Sequence, residues 1–122
     1  MSQTTLLTKR EAMKRGPLHK CHGGQGVLDF TVAFDGRENP GRQIRYIHDD
    51  ILSPGVSIGE HPHKDEEHYL VLSGRGTMIL DSQRHDIGPG DIASVYPGGT
   101  HGLENTGTED LRVIVIAPVA RT

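Results

Sequence analysis

Turn punctuation constrains this chain more than any other feature of its sequence. From residue 27 onward, short runs rich in apolar and β-branched residues are cut by Asp35-Gly36, Asn39-Pro40-Gly41, Ser53-Pro54-Gly55, Gly88-Pro89-Gly90 and Pro97-Gly98-Gly99. Such clusters supply the fixed or positive φ that tight turns require. The runs between them are strand-sized and predict strands over 27–34, 43–51, 55–63, 67–72, 76–80, 91–96, 102–105 and 111–117. Many short strands with regular turn signals predict an all-β sandwich or barrel. Residues 1–24 read differently, as an N-terminal arm ahead of one barrel domain over 25–122. Within the arm, Thr8 and Glu11 are spaced to cap a short helix over 9–15, which Gly16-Pro17 would end. The stretch 18–26 is too rich in glycine to predict regular structure.

A chain of 122 residues fits one domain and leaves no room for a second. No apolar run approaches the roughly 18–20 residues that span a bilayer, and the first ten residues carry no hydrophobic signal core. The expectation is a cytoplasmic protein without a membrane partner. Thirteen basic against sixteen acidic residues give a net charge of -3 with no basic stripe, which argues against nucleic acid. The single cysteine, Cys21, excludes an internal disulfide. Eight histidines stand against only five aromatic residues, so some histidines are expected to have a task, and metal ligation is the commonest.

That task is legible in the stretch from Gly55 to Gly74. Residues two apart in a strand share a face, so His61 and His63 project together, with Pro62 opposite. Glu67 has the same parity and returns on the next strand, whereas Glu66 and His68 point away. His101 follows a Pro-Gly turn and is placed to supply a fourth ligand from across a barrel. Two or three imidazoles with one carboxylate suit Fe, Mn, Ni, Co, Cu or Zn. Four protein ligands on an octahedral ion leave two positions for a substrate or for substrate and dioxygen. Tyr69 shares the parity of Glu67 and is expected inside the barrel as a substrate-orienting or catalytic residue. Either Arg45 or Tyr46 faces inward, and an inward Arg45 would bind a carboxylate or phosphate. Ser57 shares the parity of His61 and leaves room around the ion; Leu103 shares that of His101 and forms a pocket wall. His19, Cys21 and His22 match no zinc-ligand spacing and read as part of an ordered or dimer-contacting arm.

These motifs resemble the cupin superfamily. Its first motif, G-x5-H-x-H-x3,4-E-x6-G, is matched at every fixed position by Gly55, His61, His63, Glu67 and Gly74. Its second, G-x5-P-x-G-x2-H-x3-N, is matched by Gly90, Gly98, His101 and Asn105, with Tyr96 where the family has proline. The resemblance implies a jelly-roll (double-stranded β-helix) barrel holding one divalent transition metal through His61, His63, Glu67 and His101. It implies a small acidic or hydroxylated ligand and an enzyme, with Glu67 and Tyr69 as its catalytic candidates. Oxygenase-type chemistry is slightly favoured over an isomerase, decarboxylase or lyase, and a non-catalytic ligand-binding module is the alternative. Small barrels of this kind often pair through an edge strand or an exchanged arm, which predicts a homodimer.

Overall fold

Strand alternation lays the fold out from its last element inward. Leu111, Val113, Val115 and Ala117 share one face of β10 (Leu111–Pro118) and are at most 2% exposed. The computed structural model describes residues 4–39 and 41–120, so Pro40 of the expected turn lies outside the described residues. In it, β10 occupies an inner position of a six-stranded antiparallel sheet. The order is β1 (Lys14–His19), β2 (Val27–Asp35), β3 (Ile44–Leu52), β10, β5 (Glu67–Ser73) and β8 (Ile92–Val95). A four-stranded antiparallel sheet faces it, in the order β4 (Ser57–Pro62), β9 (Thr100–Glu104), β6 (Gly76–Leu80) and β7 (Gln83–Ile87). The inner faces enclose one core that includes Leu28, Leu52, Met78, Leu103 and Leu111. The protein is an all-β jelly-roll barrel, and among the described residues no helix is long and apolar enough to cross a membrane.

All eight expected strands are present, with ends displaced by no more than two residues. The helix expected over 9–15 is not. A single 3-10 turn, Arg10–Ala12, gives way to β1, and Gly16 and Pro17 lie inside that strand opposite Phe30 and Asp29. The reason is tertiary. Lys9, not Thr8, holds the cap position and makes no side-chain cap bond. Meanwhile β2 offers an open edge, and an edge strand tolerates proline. Arg15 fastens the pair with bonds of 2.9 and 2.5 Å to Asp29. Arg10 reaches Asp49 on β3 at 2.8 Å, and Arg112 grips the same carboxylate at 3.0 and 2.6 Å. Asp49 is only 4% exposed, yet the Arg112 hydrogen bond holds its carboxyl below the usual range against the opposing effect of burial.

Asn105 ties the two sheets together. It is 3% exposed; its amide donates to the Leu52 carbonyl at 2.8 Å and the Glu109 carbonyl at 2.7 Å, and its oxygen accepts from the Gly107 N–H at 2.9 Å. One side chain thus joins the end of β3 to the loop between β9 and β10. Nearby, Gly74 takes φ 81°, and a Cβ there would lie 2.2 Å from the Asp110 carbonyl, so this turn admits only glycine. Asn105→Ala removes three bonds worth about 1 kcal/mol each and strands a buried carbonyl. Urea unfolding should show a loss of about 2–4 kcal/mol. A loss below about 0.5 kcal/mol would mean that water replaces the amide at no cost.

Candidate metal centre

Strand pairing puts His61 of β4 directly opposite His101 of β9. His63 follows β4 and is locked by two backbone bonds: its N–H donates to Gly99 at 2.8 Å, and its carbonyl accepts from Gly98 at 3.1 Å. The three rings each offer a nitrogen, all within 4.8 Å of one another. Their orientation is fixed from behind. His61 Nδ1–H donates to the Gly59 carbonyl at 2.7 Å and His63 Nδ1–H to the Asp65 carbonyl at 2.5 Å. A carbonyl only accepts, so Nδ1 carries a proton and Nε2 is the ring nitrogen left to act as a ligand. His101 is 1% exposed, and its Nε2 is buried without a hydrogen-bond partner.

Glu67 enters from the opposite sheet. Its Oε1 lies 3.3 Å from His63 Nε2 and 3.5 Å from His101 Nε2. Its Oε2 accepts from the Tyr46 hydroxyl, and the buried Tyr69 phenol lies beside the same carboxylate. Burial and the Glu67 charge raise both phenols, so each stays protonated and able to donate. Glu66 instead turns away to His68 at 2.5 Å. Three imidazole nitrogens therefore converge, with a Glu67 oxygen beside two of them. That donor set fits a divalent transition metal ion.

The centre opens onto a cavity of about 360 Å³. Leu28, Phe30 and Val115 give it apolar walls, while Tyr46, Asp50 and Tyr69 give it polar ones. Arg45 and Tyr46 both reach it, although one alone was expected to. Arg45 donates from Nη1 to Asp65 at 2.9 Å and keeps a buried, unpartnered Nε. Ser57 and Leu103 are corrections, because neither is on the described cavity wall. The β4–β9 register slips between Ile58 and His61, and such a bulge reverses strand parity. Ile58 therefore faces the cavity in place of Ser57, whose hydroxyl accepts from the Gln25 N–H at 2.8 Å. Leu103 is 1% exposed and belongs to the core, opposite Met78.

Cys21, His22, His48 and Asp50 are among the cavity residues that were not legible as such. His22 sits in a 3-10 turn, Cys21–Gly23, and stacks on His61 with ring centroids 3.6 Å apart. Glycines allow this docking. A Cβ on Gly59 would lie 2.1 Å from the His22 carbonyl, and one on Gly24 2.1 Å from the Ser57 carbonyl. His19 ends β1 and is exposed. Parity with Tyr46 along β3 was the available signal for His48 and Asp50. No local pattern pointed to Cys21 or His22.

Residues 50–117 match the sequence profile of the Cupin domain. The chain belongs to the cupin family. It is 36% identical over 114 residues to an oxalate-binding protein of Thermotoga maritima, spanning 93% of each chain. Its fold matches the crystal structure of a predicted oxalate decarboxylase from Thermotoga maritima with a TM-score of 0.81 and 26% identity, covering 93% of this chain and 100% of that one. A polyketide cyclase from Streptomyces resistomycificus gives a TM-score of 0.77 at 22% identity, covering 97% and 82% of the two chains, a likeness of fold alone. In this cupin Tyr96 replaces the motif's proline at an exposed turn that still closes through the Gly99 N–H to the Tyr96 carbonyl at 2.9 Å.

Three buried groups give the metal-free cupin a stability profile with two limbs. Burial lowers His48 to about 4; burial and then the neighbouring imidazoles lower His101 to about 3. Burial, then the charges of Asp49, Glu67 and Asp29, raises Asp50 to about 8. A histidine held neutral contributes stability that is full above its unfolded pKa of about 6.5 and lost as pH falls toward the folded value. A carboxyl held protonated contributes stability that is full below about 3.9 and lost as pH rises through the folded value. Melting temperature should therefore peak near about pH 6.5. His48→Phe should make the acid limb shallower, and Asp50→Asn should flatten the alkaline limb. An alkaline limb as steep in Asp50→Asn as in the parent would contradict this assignment.

Proposed function

We propose that this cupin binds one divalent transition metal through His61, His63, His101 and Glu67 and uses it to hold a small acidic or hydroxylated molecule. The observation that carries the reading is the buried, unpartnered Nε2 of His101, aimed into a space where neighbouring imidazoles also present lone pairs. The bound metal would supply Lewis acidity toward a carboxylate or carbonyl oxygen. The chain's own residues do the rest. The Nδ1 bonds of His61 and His63 keep their rings turned inward. Tyr46 and Tyr69 hold Glu67 in place from its far side. Arg45 offers its free Nε to an anionic group at the cavity. Leu28, Phe30 and Val115 restrict water.

We favour turnover over storage. Glu67 has one oxygen toward the imidazoles and one toward a phenol, so it is placed to hold or pass a proton beside a bound acid. Oxygen-dependent breakdown of the acid is the preferred chemistry, with a decarboxylase, isomerase or lyase next. Binding without turnover is the second reading, favoured by the likeness to an oxalate-binding protein.

Chain purified without chelator should carry about one transition metal, and His101→Ala should weaken metal affinity by at least about 10–100-fold. Oxalate, the first ligand to try, should bind the metal-loaded chain and not the stripped one. Metal below a tenth of an equivalent after reloading the parent would refute the reading. Consumption of dioxygen with a bound acid would favour oxygenation, and ligand recovered unchanged would favour the binding role.

A further inference from the structure

Asp50 takes no part in the chemistry above. It lies on β3, two residues from His48 and four from Tyr46, on the face that looks into the cavity. It is 4% exposed, and its Oδ1 is buried with no hydrogen-bond partner. Its sequence neighbour Asp49 faces the other way and takes both nearby arginines, Arg10 and Arg112. Across the sheet Asp50 meets Phe30 of β2 and Val113 of β10, neither of which can pair with it. The charged groups that act on it are Asp49, Glu67 and Asp29, all acidic, and the titratable Cys21 and Tyr69 lie within its field. An unpaired carboxylate there would be costly, whereas a protonated carboxyl is a hydrogen-bond donor without an acceptor.

We propose that Asp50 forms a second polar subsite of the cavity, donating its carboxyl proton in a hydrogen bond to an oxygen at the far end of the bound molecule. This rests on reading the imidazole cluster as a metal site that takes the near end. Through Val113 of β10, Asp50 lies level with Val71 of β5, four residues along that strand from Glu67, and Leu28, Phe30 and Val115 line the same cavity. The ligand class is therefore an oxo or hydroxy acid longer than oxalate: a chelating head, a short apolar middle and an acceptor oxygen, best a carboxylate, at the tail. A hydroxyl donating to a carboxylate is among the strong hydrogen bonds, so the tail contributes to selection.

Calorimetric titration of the cobalt(II)-loaded full chain with oxalate, 2-oxoglutarate and 2-oxopentanoate tests this. The two longer acids have the same chain length and differ in a carboxylate or methyl tail. The parent should bind 2-oxoglutarate about 10-fold or more tighter than 2-oxopentanoate. Asp50→Leu should abolish that preference while leaving oxalate affinity within about 2-fold, which also reports an intact fold and centre. Asp50→Asn, which keeps a weaker donor, should reduce the preference by about 3-fold. A parent without the preference, or either variant with it undiminished, overturns the proposal. Oxalate binding that ignores the metal would count against the metal reading instead. In that case the same tail preference, measured on the metal-free chain, still decides the role of Asp50.

Discussion

Convergence of imidazole nitrogens in a half-buried pocket is the constraint on which the structure turns. Lone pairs repel, and a buried nitrogen without a donor forfeits its hydrogen bond. The chain sustains the arrangement by fixing each ring from outside. Backbone carbonyls of Gly59 and Asp65 take the Nδ1 protons of His61 and His63, and β4–β9 pairing sets His61 against His101. Each of these supports is a backbone feature. The barrel itself, rather than a set of flexible side chains, aims the nitrogens at one point.

The rest of the fold reads as support for that point. Asn105 anchors the loop that follows β9, the strand carrying His101. Gly98 and Gly99 bond His63 to the turn before β9. The arm closes one sheet edge as β1 and then lays His22 flat on His61, an approach close enough that Gly24 and Gly59 admit no side chain. Glu67 joins the two sheets chemically, with imidazoles on one side and phenols on the other. Stability and site geometry thus depend on the same contacts, and damage to one should be felt in the other.

Local pattern made much of this legible. Alternation placed His61, His63 and Glu67 together and turned Glu66 outward, because parity is a property of any strand. Turn residues marked eight strands for the same reason. What sequence concealed depends on partners. β1 contains Gly16-Pro17 and β7 is polar along Gln83 to Asp86, so neither alternates, and only a neighbouring strand makes them strands. The slip between Ile58 and His61 reversed the face of Ser57, and Gly59 at that place was the one local sign of a bulge. Asp49 and Asp50 look alike in sequence. Two arginines claim one, and the other is left to the cavity.

The central claim is that the three imidazoles and Glu67 surround a single metal ion. Anomalous diffraction from crystals of the cobalt-loaded chain addresses it most directly. The account predicts one strong peak, about 2.0–2.2 Å from the Nε2 atoms of His61, His63 and His101 and from a Glu67 oxygen. A peak elsewhere, or a fully loaded crystal whose His101 Nε2 touches only water, would contradict it.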